Sequence, residues 1–156
     1  MTLFEAQEPD PRDEAKIKRR TRAIIVLVVV VIVGLGTAYH FRHWREERAV
    51  DEFFNQVELK HYEDAYALWQ ADPQWKEHTD RYKQYPFGQF QLDWGPSGDY
   101  GPITSHKVEG SIEPKNKNGP VSGVVVKVTV NNRVQPACLW VEKKTRVISF
   151  SPRECQ

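Results

Sequence analysis

VSGVVVKVTV, Val121 to Val130, decides the fold. Successive side chains of a strand point to opposite faces, so Val124, Val126, Val128 and Val130 share one side and Val125, Lys127 and Thr129 the other. This alternation predicts a strand in a sheet with one buried side. Asn131-Asn132 follows, and asparagine accepts the left-handed backbone of a hairpin turn. Upstream, Thr104 to Glu113 reads as a strand and PKNKNGP, Pro114 to Pro120, as a turn-rich loop. Downstream, Ala137 to Glu142 and Arg146 to Phe150 read as two more strands joined by Lys143 to Thr145.

Ahead of the sheet the apolar period is helical. Val50, Phe53, Phe54 and Val57 form an i, i+3, i+4, i+7 stripe with Asp51, Glu52, Asn55 and Glu58 on the other face. Tyr62, Ala65, Tyr66 and Trp69 repeat the pattern after a phase break near Lys60 and His61, and Asp72-Pro73 ends it. Gln74 to Gln84 reads as a polar loop with one helical turn. Phe87, Phe90 and Leu92, after Pro86, suggest a short third helix on the same core. Helices first and an antiparallel meander second is an α+β arrangement: two or three helices packed on a curved sheet of about four strands.

DWGPSGDYGP, Asp93 to Pro102, lies between the two halves. A phosphate cradle needs a strand before the glycines and a helix after them; here the order is reversed, and Asp93 and Asp99 repel anions. Pro96 and Pro102 hold Gly95 and Gly101 out of helical geometry, and Ser97-Gly98-Asp99 supplies a tight turn. The stretch is a corner, pinned by Trp94 and Tyr100.

A second valine-rich segment has no alternation. AIIVLVVVVIVGLGTAY, Ala23 to Tyr39, runs uncharged for about the length that crosses a hydrocarbon core. Lys16, Lys18, Arg19, Arg20 and Arg22 precede it; Arg42, Arg45 and Arg48 follow, diluted by Glu46 and Glu47. This asymmetry predicts a transmembrane helix over 23–41 in the cytoplasmic (inner) membrane, with the N-terminus in the cytoplasm and an extracytoplasmic domain over 42–156. Tyr39, Phe41 and Trp44 would form the outer aromatic belt. A cleaved signal peptide, cut near Gly36-Thr37-Ala38, is the rival reading. Gly34 and Ala38 are either a helix-pairing motif or ordinary membrane composition. Residues 1–22, polar and basic, are expected to be a disordered tail.

With 22 basic and 21 acidic side chains, the net charge of +1 provides no global field for nucleic acid, which is not expected as a partner. The two cysteines, Cys138 and Cys155, fit no metal spacing. Cys138 should face the strand around Ser149 to Ser151, so a returning tail brings Cys155 within disulfide reach; the alternative is a buried free Cys138 and a frayed terminus.

FFNQVELKHYEDAYALW, FQLDWGPSGDYGPI, VVVKVTV and LWVEKKTRVISFSP together resemble the small α+β cone of the nuclear-transport-factor-2-like (cystatin-like) superfamily. The likeness spans roughly Ala49 to Pro152 and is narrowest to bacterial proteins that carry this domain behind one membrane anchor. It implies a curved sheet around helices, often with an apolar cavity, and functions ranging from enzymes to dimerisation modules and transport adaptors. The anchor followed by YGPI, GSI and the valine strand is also similar, more weakly, to membrane-anchored cytochrome oxidase assembly proteins.

A dehydratase or isomerase on this fold needs titratable groups in the cavity, and Asp64, Asp93, Tyr66, Tyr100 and His106 are the available ones. None sits in a catalytic motif, and the serine-nucleophile, Walker and HExxH patterns are missing from the sequence. His40 and His43 lie one helical turn apart beside Glu46 and Glu47, but further ligands are not evident, so no metal or cofactor is expected. The reading is a non-enzymatic, membrane-anchored binding or interaction module for a partner protein or a small apolar ligand, with Asp93, Trp94, Tyr100 and His106 as binding candidates and Cys138 and Cys155 as disulfide candidates. Its partners would be the bilayer and a protein or a second copy. A small lyase or isomerase with an apolar pocket, or an assembly factor for a membrane complex, are the alternatives.

Overall fold

The computed structural model describes residues 11–114 and 121–151. The chain forms two compact units that divide between Arg42 and His43.

The first unit is one helix, α1, Pro11–His40. Proline suits a first helical position, where its missing N–H had no partner. Residues 11–22, expected to be disordered, continue this helix instead. Lys16–Tyr39 is long and apolar enough to cross a membrane; its most apolar 18-residue stretch has a mean hydropathy of 2.4, and none of that stretch is buried by protein. The Thr37 hydroxyl bonds back to the carbonyls of Val33 and Gly34 at 3.0 and 2.9 Å, which keeps its polar group inside the helix.

In the second unit, α2 spans Trp44–Glu58 and buries Val50, Phe53, Phe54 and Val57, the stripe expected from spacing. The helix ends where Lys60 turns left-handed (φ 62°). After this tight turn α3, Tyr62–Gln70, buries Ala65, Tyr66 and Trp69. Ala71 (φ 51°) caps it, and the Asp72 N–H closes on the Ala67 carbonyl at 2.9 Å.

Two 3-10 turns, Trp75–Glu77 and Thr79–Tyr82, follow in place of the single helical turn expected. Asp72 holds them: it accepts from the Gln74 N–H at 2.9 Å and the Tyr82 hydroxyl at 2.7 Å, and pairs with His78 Nδ1 at 2.8 Å. The next helix, α4, is Phe87–Trp94, with Phe90 and Trp94 buried. Leu92, expected in the core, is 59% exposed. At 3.6 residues per turn, positions 90 and 94 share a face and 92 lies opposite.

The sheet is curved, open and antiparallel, in the order β1 (His106–Ile112), β2 (Gly123–Val130), β3 (Ala137–Glu142), β4 (Ile148–Phe150). On its inner face Val124, Val126 and Val128 pair with Val141, Leu139 and Ala137. Val125 belongs to the outer face yet is only 4% exposed. Its cross-strand neighbours Ile112 and Trp140 account for this, since directly opposed side chains cover one another. A bulge between Val108 and Gly110 then turns Ser111 inward, where its hydroxyl donates to Glu47 of α2 at 2.7 Å.

Strand β1 starts two residues later than expected because Asn131 takes the Thr104 and Ser105 N–H groups, at 2.9 and 3.3 Å. Strand β4 starts later because Arg146 is left-handed (φ 62°), incompatible with a strand. Asn131 and Asn132 (φ 50° and 55°) form the turn their identity predicts. The expected loop at 115–120 lies outside the described residues.

Aromatic rings fill the space between helices and sheet. Phe53 has Phe54, Trp94, Trp69 and Phe90 at centroid distances of 5.0, 5.1, 5.4 and 6.1 Å. Edge-to-face contacts dominate, the arrangement that ring quadrupoles favour.

Candidate functional site

The corner Asp93 to Pro102 begins where α4 ends. A Cβ on Gly98 would lie 1.9 Å from the Asp93 carbonyl oxygen, so the turn closes on the helix end in a way that only glycine permits. Asn131 Nδ2 donates to the carbonyls of Tyr100 and Pro102 at 3.2 and 2.9 Å, and Arg133 Nη1 donates to the main-chain carbonyl of Asp99 at 2.7 Å. The corner is thereby latched to the β2–β3 turn. Trp94 lies parallel to Tyr100 and to Phe150, each at 5.7 Å. Asp93, Trp94, Tyr100 and Phe150 line a hollow of about 360 Å3.

Asp93 is engaged at both oxygens, accepting from the Tyr85 hydroxyl and from Gln89 Nε2, each at 2.8 Å. Burial, and then the neighbouring Asp93 carboxylate, push Tyr85 far above the usual tyrosine range. The hydroxyl therefore stays protonated and donates, which makes the pair a structural tie. The Trp94 indole N–H is buried and makes no well-formed hydrogen bond among the described residues, although the Tyr85 hydroxyl lies close enough to interact with it.

His106 sits apart from these three. Its Nδ1 meets Glu58 Oε1 at 2.5 Å and its Nε2 meets Asp51 Oδ1 at 3.1 Å, while Phe54 stacks on the ring at 5.3 Å. With its side chain 7% exposed and both nitrogens taken, it fastens α2 to β1. Of the remaining candidates, Asp64 is exposed, and Tyr66 is buried and donates to the Tyr85 carbonyl at 2.6 Å. His43 Nε2 lies 3.6 Å from Glu113 Oε2. Among the described residues no group of three or more His, Cys, Asp or Glu side chains could hold a metal ion. Cys138 is disulfide-bonded, and Cys155 lies outside the described residues.

A groove that the sequence did not single out runs between α2, α3 and the β3–β4 turn, with a volume of about 810 Å3. Arg45, Arg48, Lys144 and Arg146 line it, with Trp44 among its apolar residues. Arg45 and Arg48 fall one helical turn apart, and Arg48 lies 5.3 Å over the Trp44 ring. Lys144 and Arg146 come from a hairpin turn about a hundred residues later, so only the fold joins the two pairs. The basic run Lys143-Lys144-Thr145-Arg146 at a predicted turn was the available signal.

No protein-family model matches the chain, and no curated protein or solved structure matches it either. The chemistry on view is positional: carboxylates tied to hydroxyl, amide and imidazole groups, a ring-filled interior, and one surface groove rich in cations.

Proposed function

We propose that the chain is a single-pass membrane protein whose α+β domain is a non-catalytic interaction module on the extracytoplasmic side of the cytoplasmic membrane. The observation that carries the reading is the occupied interior. Where a lyase of the cone superfamily would hold substrate between helices and sheet, this domain has Phe53, Phe90 and Trp94 at 0%, 0% and 2% exposure. Asp93 and His106, which catalysis would need free, are spent on structural contacts. Binding on such a domain takes place at its surface.

The apolar α1 and the basic excess ahead of it support the anchor and its direction. Helices leading into an antiparallel meander support the nuclear-transport-factor-2-like resemblance. The test is labelling of Cys155 in intact cells with a membrane-impermeant thiol reagent after mild reduction. Labelling without lysis is expected; protection until lysis reverses the orientation. Native mass spectrometry of the full chain from mild detergent tests the module: a stoichiometric small metabolite retained by the domain would restore the pocket reading.

A further inference from the structure

We propose that the groove between α2, α3 and the β3–β4 turn binds the phosphate of an anionic phospholipid headgroup in the leaflet from which α1 emerges. The inference rests on the anchored reading above and adds a ligand to it. Its first support is charge. Arg45, Arg48, Lys144 and Arg146 line one groove, and none is within salt-bridge distance of a carboxylate among the described residues. Glu52 and Asp64 also line it, so four cations stand against two carboxylates and the balance is positive. Cations that lack an internal carboxylate keep their donors available for charge-assisted hydrogen bonds to an external anion.

The second support is reach. Five residues separate Tyr39, the end of the apolar span, from Arg45. Even fully extended they cover no more than about 20 Å, so the first turn of α2 stays near the bilayer surface in any arrangement. Trp44, 48% exposed beside the groove, has the amphipathic ring that settles at headgroup depth.

The third support is the backbone of Arg146. Its φ of 62° is one that glycine adopts freely and arginine does not. Its N–H bonds the Glu142 carbonyl at 2.8 Å, a contact that glycine would keep. Arginine therefore occupies a position where the turn alone would favour glycine, and there its side chain lines the groove.

The substitution Arg146→Gly separates ligand binding from folding. The full-length chain is placed in nanodiscs of phosphatidylcholine and phosphatidylglycerol in equal amounts, and the lipids retained on release are weighed by native mass spectrometry. Phosphatidylglycerol should be retained over phosphatidylcholine. R146G should lower that preference about fivefold, the worth of one cation at an anionic surface, while its melting temperature stays level or rises. Arg45→Gln with Arg48→Gln should lower it further. Retention that ignores headgroup charge, or that R146G leaves intact, overturns the proposal. Equal occupancy by inorganic phosphate in neutral nanodiscs overturns the lipid as its source. Flotation of the same chain with neutral phosphatidylcholine vesicles tests the anchor separately: a chain that does not float overturns both readings, and one that floats without headgroup preference overturns this one alone.

Discussion

Two segments of this chain are built largely from valine and end at opposite extremes of exposure. In α1, Val26, Val28, Val30 and Val33 are 62%, 49%, 61% and 59% exposed; in β2, Val124, Val126, Val128 and Val130 are each 0% exposed. Residue type does not separate them, because β-branched side chains favour strands in water in both cases. Length and interruption do. The α1 run continues without charge for longer than a strand, and a medium without water leaves its backbone groups no partners but one another. The β2 run is broken by Lys127 and Thr129, which fixes one face outward and gives the other to the helices. One set of valines is buried by protein, and the other is exposed on a helix long and apolar enough to cross a membrane.

The same charge placed in each segment should act on different equilibria. Val126→Asp buries a carboxylate in the ring-filled core and should cost more than about 4 kcal/mol, abolishing the cooperative melt. Val30→Asp should leave the domain's melt in place and instead take about 2.5–3.5 kcal/mol from membrane insertion, read by flotation. Equal shifts in melting would mean that α1 is packed as a core helix. A gentler version uses glycines. A Cβ on Gly123 would meet the Trp140 ring and the Val141 carbonyl at 2.5 Å, so Gly123→Ala should destabilise the domain by about 1–3 kcal/mol in urea titration. Gly34→Ala, with nothing within 4 Å, should leave it unchanged.

The smallest effects are in pH, and the two groups concerned, Tyr85 and Asp72, belong to the domain. Burial first, then Asp93, raise Tyr85. Its contribution is complete below the unfolded value of about 10 and is lost as pH rises through the folded one, because the unfolded chain releases its proton first. Tyr85→Phe should flatten the alkaline limb of a stability profile. Asp72 runs the other way: hydrogen bonds from Tyr82 and then His78 hold it below its ordinary 3.8. Its contribution is present above that value and fades as pH falls through the folded one, so Asp72→Asn should flatten the acid limb slightly. Val30→Asp should move neither limb.

What the sequence made legible was local. Alternation placed β2, the i, i+3, i+4 stripe placed α2 and α3, and the bounds Ala137–Glu142 of β3 were read without error. Leu92 was misplaced because two apolar spacings fit a short helix and only the packed face chooses between them. The bulge at Val108/Gly110 has no sequence mark, although it determines that Ser111 reaches Glu47. Contacts at the candidate sites divide the same way. Trp94 and Tyr100 are close in sequence and both are legible as pins of the corner, whereas their stacking on one another is set by the fold. His106 finds its carboxylates 48 and 55 residues away, and Arg45 finds Arg146 farther still. Such meetings are set by the register of a sheet against a helix, which no local period encodes.

The parallel rings at Trp94 give the domain an optical reporter. Tyr100 comes from the corner and Phe150 from the last strand, and each is held within 6° of the indole plane. An indole fixed among neighbouring rings produces circular dichroism in the near ultraviolet that a freely turning one does not. Detachment of the short strand β4 would remove one of these rings while leaving β1, β2 and β3 paired. The near-ultraviolet signal would then fade before the far-ultraviolet one, so the order in which the end of the chain and the body of the sheet come apart can be read without adding a label.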